Sequence, residues 1–174
     1  MTEWTQRAHV LADHAVSGVL GHVSSLHFDT MSELLWVGSA SGQLTSHTGA
    51  LPTLPRYTSL AAHGAPKQPR HVRGILSDDK FIISLSEGRV CASQRQGLGR
   101  WSMQIEDHAP GVALAGLCAS PQSASSDIIV GGAAPNSHDA LFALHSTSGR
   151  IVRRAVSDGT VTQLRKGSRY LCVG

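Results

Sequence analysis

The residues able to do chemistry are twelve carboxylates, ten histidines and three cysteines in a chain of 174. Two-metal hydrolysis of a phosphodiester needs clustered carboxylates, the first two spaced as Asp-x-Glu on a strand, because the metals clamp both the attacking and the leaving oxygen. The nearest approach is His27-Phe28-Asp29-Thr30-Met31, where Met31 stands in the place of the second acid. Asp29 therefore reads as a strand-end turn residue whose side chain caps the backbone. Asp78 and Asp79 are adjacent, so on a strand they would face opposite ways, and they too read as turn. The histidines (His9, His14, His22, His27, His47, His63, His71, His108, His138 and His145) contain no His-x-x-x-His pair. His9 and His14 are five apart and do not share a helical face well. Ser77-Asp78-Asp79-Lys80 has the letters of an S-x-x-K motif without its surroundings. Gly97 and Gly99 have no helix behind them to complete a phosphate cradle. Cys91, Cys118 and Cys172 form no Cys-x-x-Cys pair and no disulfide framework, and they read as small buried residues of a reducing compartment. The expectation is a chain with no catalytic centre, metal site or cofactor of its own.

The basic residues carry more binding content. Fifteen Lys and Arg against twelve Asp and Glu give a formal charge of +3, too mild to indicate nucleic-acid or membrane binding by itself. The charges nevertheless gather: Lys67, Arg70 and Arg73; Arg150, Arg153 and Arg154; Arg165, Lys166 and Arg169. Two readings stand. They are solvated edge charge that blocks strand pairing, or a positive rim that attracts RNA phosphates or an acidic partner. Aromatic residues make up only 5%, so a stacking platform for single-stranded RNA is not supported. Hydrophobic residues make up 41%, enough for a packed core. The longest strongly apolar run, Val112 to Ala119, is far short of the ~20 residues of a membrane helix. Glu3 and Asp13 interrupt any secretory signal. A cytoplasmic protein with no membrane partner is expected.

The elements that would position these residues are short strands. Val23–Phe28, Leu34–Gly38, Gln43–Ser46 and Arg56–Leu60 are separated by Asp, Gly, Ser and Pro breakers. Residues 62–70, with two prolines, read as a loop. The cycle repeats through Phe81–Leu85 and Gly99–Met103, again through Asp127–Gly131 and Ala140–Leu144, and restarts at Val161–Leu164. The second strands centre near Val37, Ile83, Val130 and Cys172, at intervals of roughly 42 to 47 residues. Four strands per unit at a period of about 40–45 is the mark of a β-propeller. A β-sandwich also has short strands at close spacing, but the near-constant period favours the propeller. The expected fold is all-β: a partial β-propeller of about three and a half four-stranded, WD-like blades. Residues 1–20 form an N-terminal extension, 21–63 blade 1, 72–105 blade 2, 112–156 blade 3, and 161–174 an incomplete blade 4. Rings close with typically 4–8 blades, so the chain reads as the N-terminal piece of a larger propeller.

Several stretches carry a resemblance. Ser32-Glu33-Leu34-Leu35-Trp36-Val37-Gly38, Gly42-Gln43-Leu44-Thr45-Ser46 and Arg56-Tyr57-Thr58-Ser59 come first. Ile82-Ile83-Ser84-Leu85-Ser86, Arg95-Gln96-Gly97-Leu98-Gly99-Arg100-Trp101, Ile129-Val130-Gly131-Gly132 and Arg165 through Cys172 follow in order. This collinear set resembles the catalytic subunit of the poly(A)-nuclease (PAN) deadenylation complex over roughly residues 23–174. The resemblance implies a seven-bladed WD-repeat-type propeller at the start of a longer chain. It implies a following linker that contacts the regulatory subunit, an inactive ubiquitin-hydrolase-like domain, and a DEDD-type 3′-exonuclease domain that would hold the divalent metal. It also implies an interaction scaffold whose partners are that regulatory subunit and poly(A) RNA with poly(A)-binding protein. His63 sits where WD-type blades place a structural histidine, and Trp36 and Trp101 are taken as structural residues with it. Two alternatives stay open. Ala140 through Gly149 looks like the repeat of quinoprotein-like propellers, though it occurs once. A truncated half-propeller without function is the other.

Overall fold

The computed structural model describes residues 22–48, 55–65, 68–120, 127–133, 139–156, 161–166 and 171–173. The expected N-terminal extension, Lys67 and Arg169 lie outside them. The regular elements among the described residues are β-strands apart from one 3₁₀ turn, arranged as three four-stranded antiparallel meanders and two two-stranded ladders.

Blade 1 is β1 (Val23–Asp29), β2 (Leu34–Ser39), β3 (Leu44–Thr48) and β4 (Arg56–Leu60). A two-residue ladder joins β5 (Gly64–Ala65) to β6 (Gln68–Pro69). The stretch read as a plain loop over 62–70 therefore contains a minimal hairpin. Blade 2 is β7 (Gly74–Ser77), β8 (Ile82–Leu85), β9 (Arg89–Ser93) and β10 (Gly99–Gln104), followed by a single 3₁₀ turn over Ile105–Asp107. Blade 3 is β11 (Ala113–Ala119), β12 (Asp127–Ala133), β13 (Asp139–His145) and β14 (Ile151–Val156). β15 (Leu164–Lys166) and β16 (Leu171–Val173) pair as a two-stranded sheet beside blade 3. Each blade is ordered from its first strand to its last. The first strands lie side by side, β7 between β1 and β11, and β11 between β7 and β15. The first strand is thus innermost and β4, β10 and β14 are outer edges, which is the radial stacking of a propeller.

Strand alternation sends successive side chains to opposite faces, and here both faces are covered. Leu34, Trp36 and Leu44 of blade 1 meet Val72 and Ile82. Ile83, Leu85 and Val90 of blade 2 meet Leu114, Val130 and Phe142 of blade 3. Cys118 of blade 3 meets Val161 and Leu164. Burial on both faces explains why β2 and β8 read as dense apolar runs, not alternating ones. On β1 the side chains turned away from blade 2 stay open: Leu26 is 62% exposed and Phe28 is 52% exposed.

A buried ion pair ties the first two blades together. Asp29 ends β1, and Arg95 lies in the turn between β9 and β10. Arg95 Nε donates to Asp29 Oδ2 at 2.6 Å and Nη2 to Oδ1 at 3.3 Å. Arg95 also donates to the carbonyls of Asp78 (2.7 Å) and Asp79 (3.2 Å). Asp29 does cap its turn, accepting from the Met31 N–H at 3.2 Å and from the Ser32 hydroxyl. Its second role, as anchor of the neighbouring blade, is one that the sequence did not show. Burial alone would raise the Asp29 carboxyl, but the Arg95, Ser32 and Met31 hydrogen bonds and the Arg95 charge outweigh it and hold the pKa at about 2.

The folded pKa lies below the unfolded one, so the contribution of Asp29 is full above about pH 4 and is lost as pH falls toward about 2. Asp29→Asn leaves the Arg95 charge half of a broken buried pair and is expected to cost about 3 kcal/mol near neutrality. Urea unfolding of both forms across pH checks this: the variant should lack the wild-type loss of stability below pH 4.

Candidate functional site

His63 follows β4 and is buried. Its Nε2 is 2.9 Å from Ser84 Oγ on β8 of the next blade, and its Nδ1 is 3.8 Å from Cys91 Sγ on β9. The backbone N–H of His63 donates to Gly42 O at 3.0 Å. Cys91 Sγ donates to Ala62 O at 3.2 Å. Burial first, then the charges of Arg89 and Arg70, lower the His63 pKa to about 4 against the opposing Ser84 hydrogen bond. Burial likewise pushes the Cys91 thiol up, and Cys118 up to about 11. Both stay protonated, so neither offers the thiolate that a nucleophile needs. The side chain of Cys172 lies outside the described residues.

Trp36 is wholly buried on the blade 1 face that meets blade 2. Trp101, on outer strand β10, reaches the next blade: its Nε1 donates to Ser146 O at 2.7 Å. Its ring lies over Gly149, whose φ is +68° and where a Cβ would come within 2.4 Å of the ring. Trp101 and the β13–β14 turn are thus built against one another.

Asp78 and Glu87 are both engaged within blade 2. Asp78 Oδ1 accepts from the N–H groups of Lys80 (2.8 Å) and Phe81 (2.6 Å), a side-chain-capped turn. Glu87 pairs with Arg73 at 3.1 Å. Among the described residues no three His, Cys, Asp or Glu side chains converge on a point where they could hold a metal.

The basic residues are divided by the fold. Arg153 and Arg154 lie on β14 and Arg150 just before it, all exposed at the outer rim of blade 3. Arg165 and Lys166 lie on β15, beside β11 at the inner side, with the width of blade 3 between the two groups. Arg73 is held by Glu87 and by Leu114 O (3.3 Å). A groove of about 400 Å³ lies between β10 and β14, lined by Met103, His108 and the run Arg150 to Arg154. Arg154 Nη1 donates to His108 O at 3.3 Å, which orients it across the blade boundary. Met103 and His108 escaped sequence reasoning, because His108 and Arg154 are 46 residues apart and nothing local links them. A second groove of similar size lies at the preceding boundary between β4 and β10, and it is more apolar, with Leu60, Ala62, Cys91 and Trp101 in its wall.

Residues 8–174 match the family model described as PAN2 N-terminal. The chain belongs to this family. It is 37% identical over 150 residues to the PAN2-PAN3 deadenylation complex catalytic subunit pan2 of Aspergillus oryzae, covering 86% of this chain and 12% of that one. The subunit of the same name from Coccidioides immitis is 36% identical over 149 residues, 86% of this chain and 11% of the other. The chain therefore spans about an eighth of the length of the curated relatives it matches. Among solved structures it is similar to the Pan2 WD40 domain of Neurospora crassa, with a TM-score of 0.72 and 26% identity over 92% of this chain and 44% of that one. The Cps50 (Swd1) propeller shares the fold alone, with a TM-score of 0.65 and 10% identity. The fold is thus an open arc of a WD40 propeller, and membership of the PAN2 N-terminal family replaces the quinoprotein-like reading.

Two outcomes are expected from these contacts. Buried His63 stays neutral to about pH 4, while in the unfolded chain it takes up a proton near pH 6.5. Stability should fall as pH drops from about 6.5 to about 4, and His63→Gln should flatten that limb in a melting series. Gly149→Ala places a methyl group into the Trp101 ring at a left-handed backbone position. It should cost about 2 kcal/mol, read as a lowered Tm.

Proposed function

We propose that this chain is the propeller arm of a poly(A)-tail deadenylase and works by contact, not by chemistry. One observation carries the reading. The chain is similar over 86% of its length to a catalytic subunit of a deadenylation complex, yet spans 12% of it, and that stretch folds into stacked propeller blades. Its partners are the regulatory subunit of the complex and poly(A) RNA coated with poly(A)-binding protein, in the cytoplasm. The divalent metal belongs to a nuclease domain beyond these residues.

The physics supports such a role. Blades locked by buried cores and cross-blade hydrogen bonds form a rigid body, and rigid bodies lose little conformational entropy on docking. The low aromatic content favours recognition of a coated tail over stacking on bare bases. No helix among the described residues is long and apolar enough to cross a membrane.

The test uses the full-length protein with and without its whole propeller. Shortening of naked poly(A) should proceed at the same rate in both, because the nuclease is intact. Shortening of poly(A) coated with poly(A)-binding protein should slow by about tenfold when the propeller is removed. Equal rates on both substrates would overturn the scaffold reading.

A further inference from the structure

The groove between β10 and β14 has properties that the scaffold reading alone does not assign. Its floor is apolar, with Met103 from blade 2 and Ile151 from blade 3 packed on the core between those blades. Its walls are cationic. Arg150 and Arg153 are exposed and have no acidic partner among the described residues. Arg154 is already oriented by His108 O. Asp107, the residue before His108, does not line the groove. The exposed guanidinium groups of Arg150 and Arg153 above an apolar floor are a match for carboxylates carried on a chain with some apolar character. Arginine presents a planar fork to a carboxylate, and Arg and Met are both enriched at the centres of protein interfaces.

Strand geometry narrows the way a ligand would lie. Ala143 pairs with Arg153 and Leu144 with Ile151, so Val152 is left over as a bulge in β14, 46% exposed. A bulge disrupts the edge and turns it away from strand addition. A partner would therefore be held by side chains in the groove and not by extending the sheet. No Phe, Tyr or Trp lines the groove and His108 is its one ring, a small platform for RNA bases, because sequence-tolerant RNA binding draws on stacking of successive bases. The two classes of ligand share an attraction to positive charge and differ in this floor.

We propose that the β10–β14 groove is the docking site for an acidic, extended segment of a partner protein, recognised by Arg150 and Arg153 over Met103 and Ile151. The assignment rests on the scaffold reading for its biological setting, but its test does not use deadenylation.

The experiment is fluorescence anisotropy on the intact protein with a labelled oligoglutamate peptide of about ten residues, and in parallel with a labelled oligo(A) of about twenty. Arg150→Glu combined with Arg153→Glu should weaken peptide binding by at least about tenfold. Both side chains are exposed, so the melting temperature should stay in place, and Arg153→Gln alone should give a smaller loss in the same direction. Arg165→Glu with Lys166→Glu, at the inner strand, should leave peptide affinity unchanged. Equal losses from the two charge reversals would show diffuse attraction and overturn the proposal, and so would no loss from the groove variant. Tighter oligo(A) binding that disappears with the groove variant would make it an RNA surface and overturn it too. If the peptide arm fails while coated-tail shortening still needs the propeller, the groove assignment falls and the scaffold stands.

Discussion

A four-stranded sheet with apolar residues on both faces needs a neighbour on each side before it is stable in water. Fully burying one Leu, Ile or Phe side chain is worth about 1.5–3 kcal/mol, and the second blade has such residues facing both ways. Ile82 joins the core shared with the first blade, and Ile83, its immediate neighbour, joins the core shared with the third. A one-residue slip in β8 would exchange the two sets and spoil both cores at once. Register within a blade and stacking between blades are therefore one constraint. The arc behaves like other repeat architectures, with stability carried by nearest-neighbour interfaces. The exposed Leu26 and Phe28 on β1 are the same kind of residue on a face that no described blade covers.

Polar contacts at the blade boundaries supply direction where apolar contact is permissive. Asp29 with Arg95, His63 with Ser84, and Trp101 with Ser146 each join one blade to the next. Desolvating an ion pair offsets much of its attraction, so the Asp29–Arg95 pair contributes little net stability over an apolar substitute. Its arrangement is specific all the same. The arginine fork is shared between a carboxylate of blade 1 and two turn carbonyls of its own blade 2, so the blade 2 turns fix the guanidinium that Asp29 must meet. Trp101 acts in the same way through Gly149, since the left-handed turn leaves room for the ring only where no side chain stands.

Much of this architecture was legible in the sequence, because strand propensity and turn chemistry are local. The run Leu34–Val37 and the run Phe81–Leu85 signal strands buried on both faces, and their spacing with Val130 and Cys172 signals the propeller. Asp78 was legible as a turn residue for the same reason, its partners being two and three residues away. The double role of Asp29 was not, since Arg95 lies 66 residues further on. The division of the basic residues was hidden as well. Arg154 and Arg165 are close in sequence, but a propeller chain passes from the outer edge of one blade to the inner strand of the next. Neighbours along the chain are thereby placed at opposite ends of a sheet radius. The family, in contrast, was carried by the collinear order of short segments that are individually unspecific.

That radial path also bears on where binding chemistry can accumulate. The middle strands β2, β3, β8 and β9 have both faces committed to packing, and a charged side chain there would have to be desolvated and paired. The outer strand is half free. On β14, Ile151 packs into the core while Val152, Arg153 and Arg154 stay exposed, so changes there cost the fold little. Successive outer boundaries in this arc already differ in character, one groove lined by Leu60, Ala62 and Trp101 and the next by Arg150, Arg153 and Arg154. A single repeated scaffold can in this way present different surfaces around its rim, with the specificity of each set by a few edge residues.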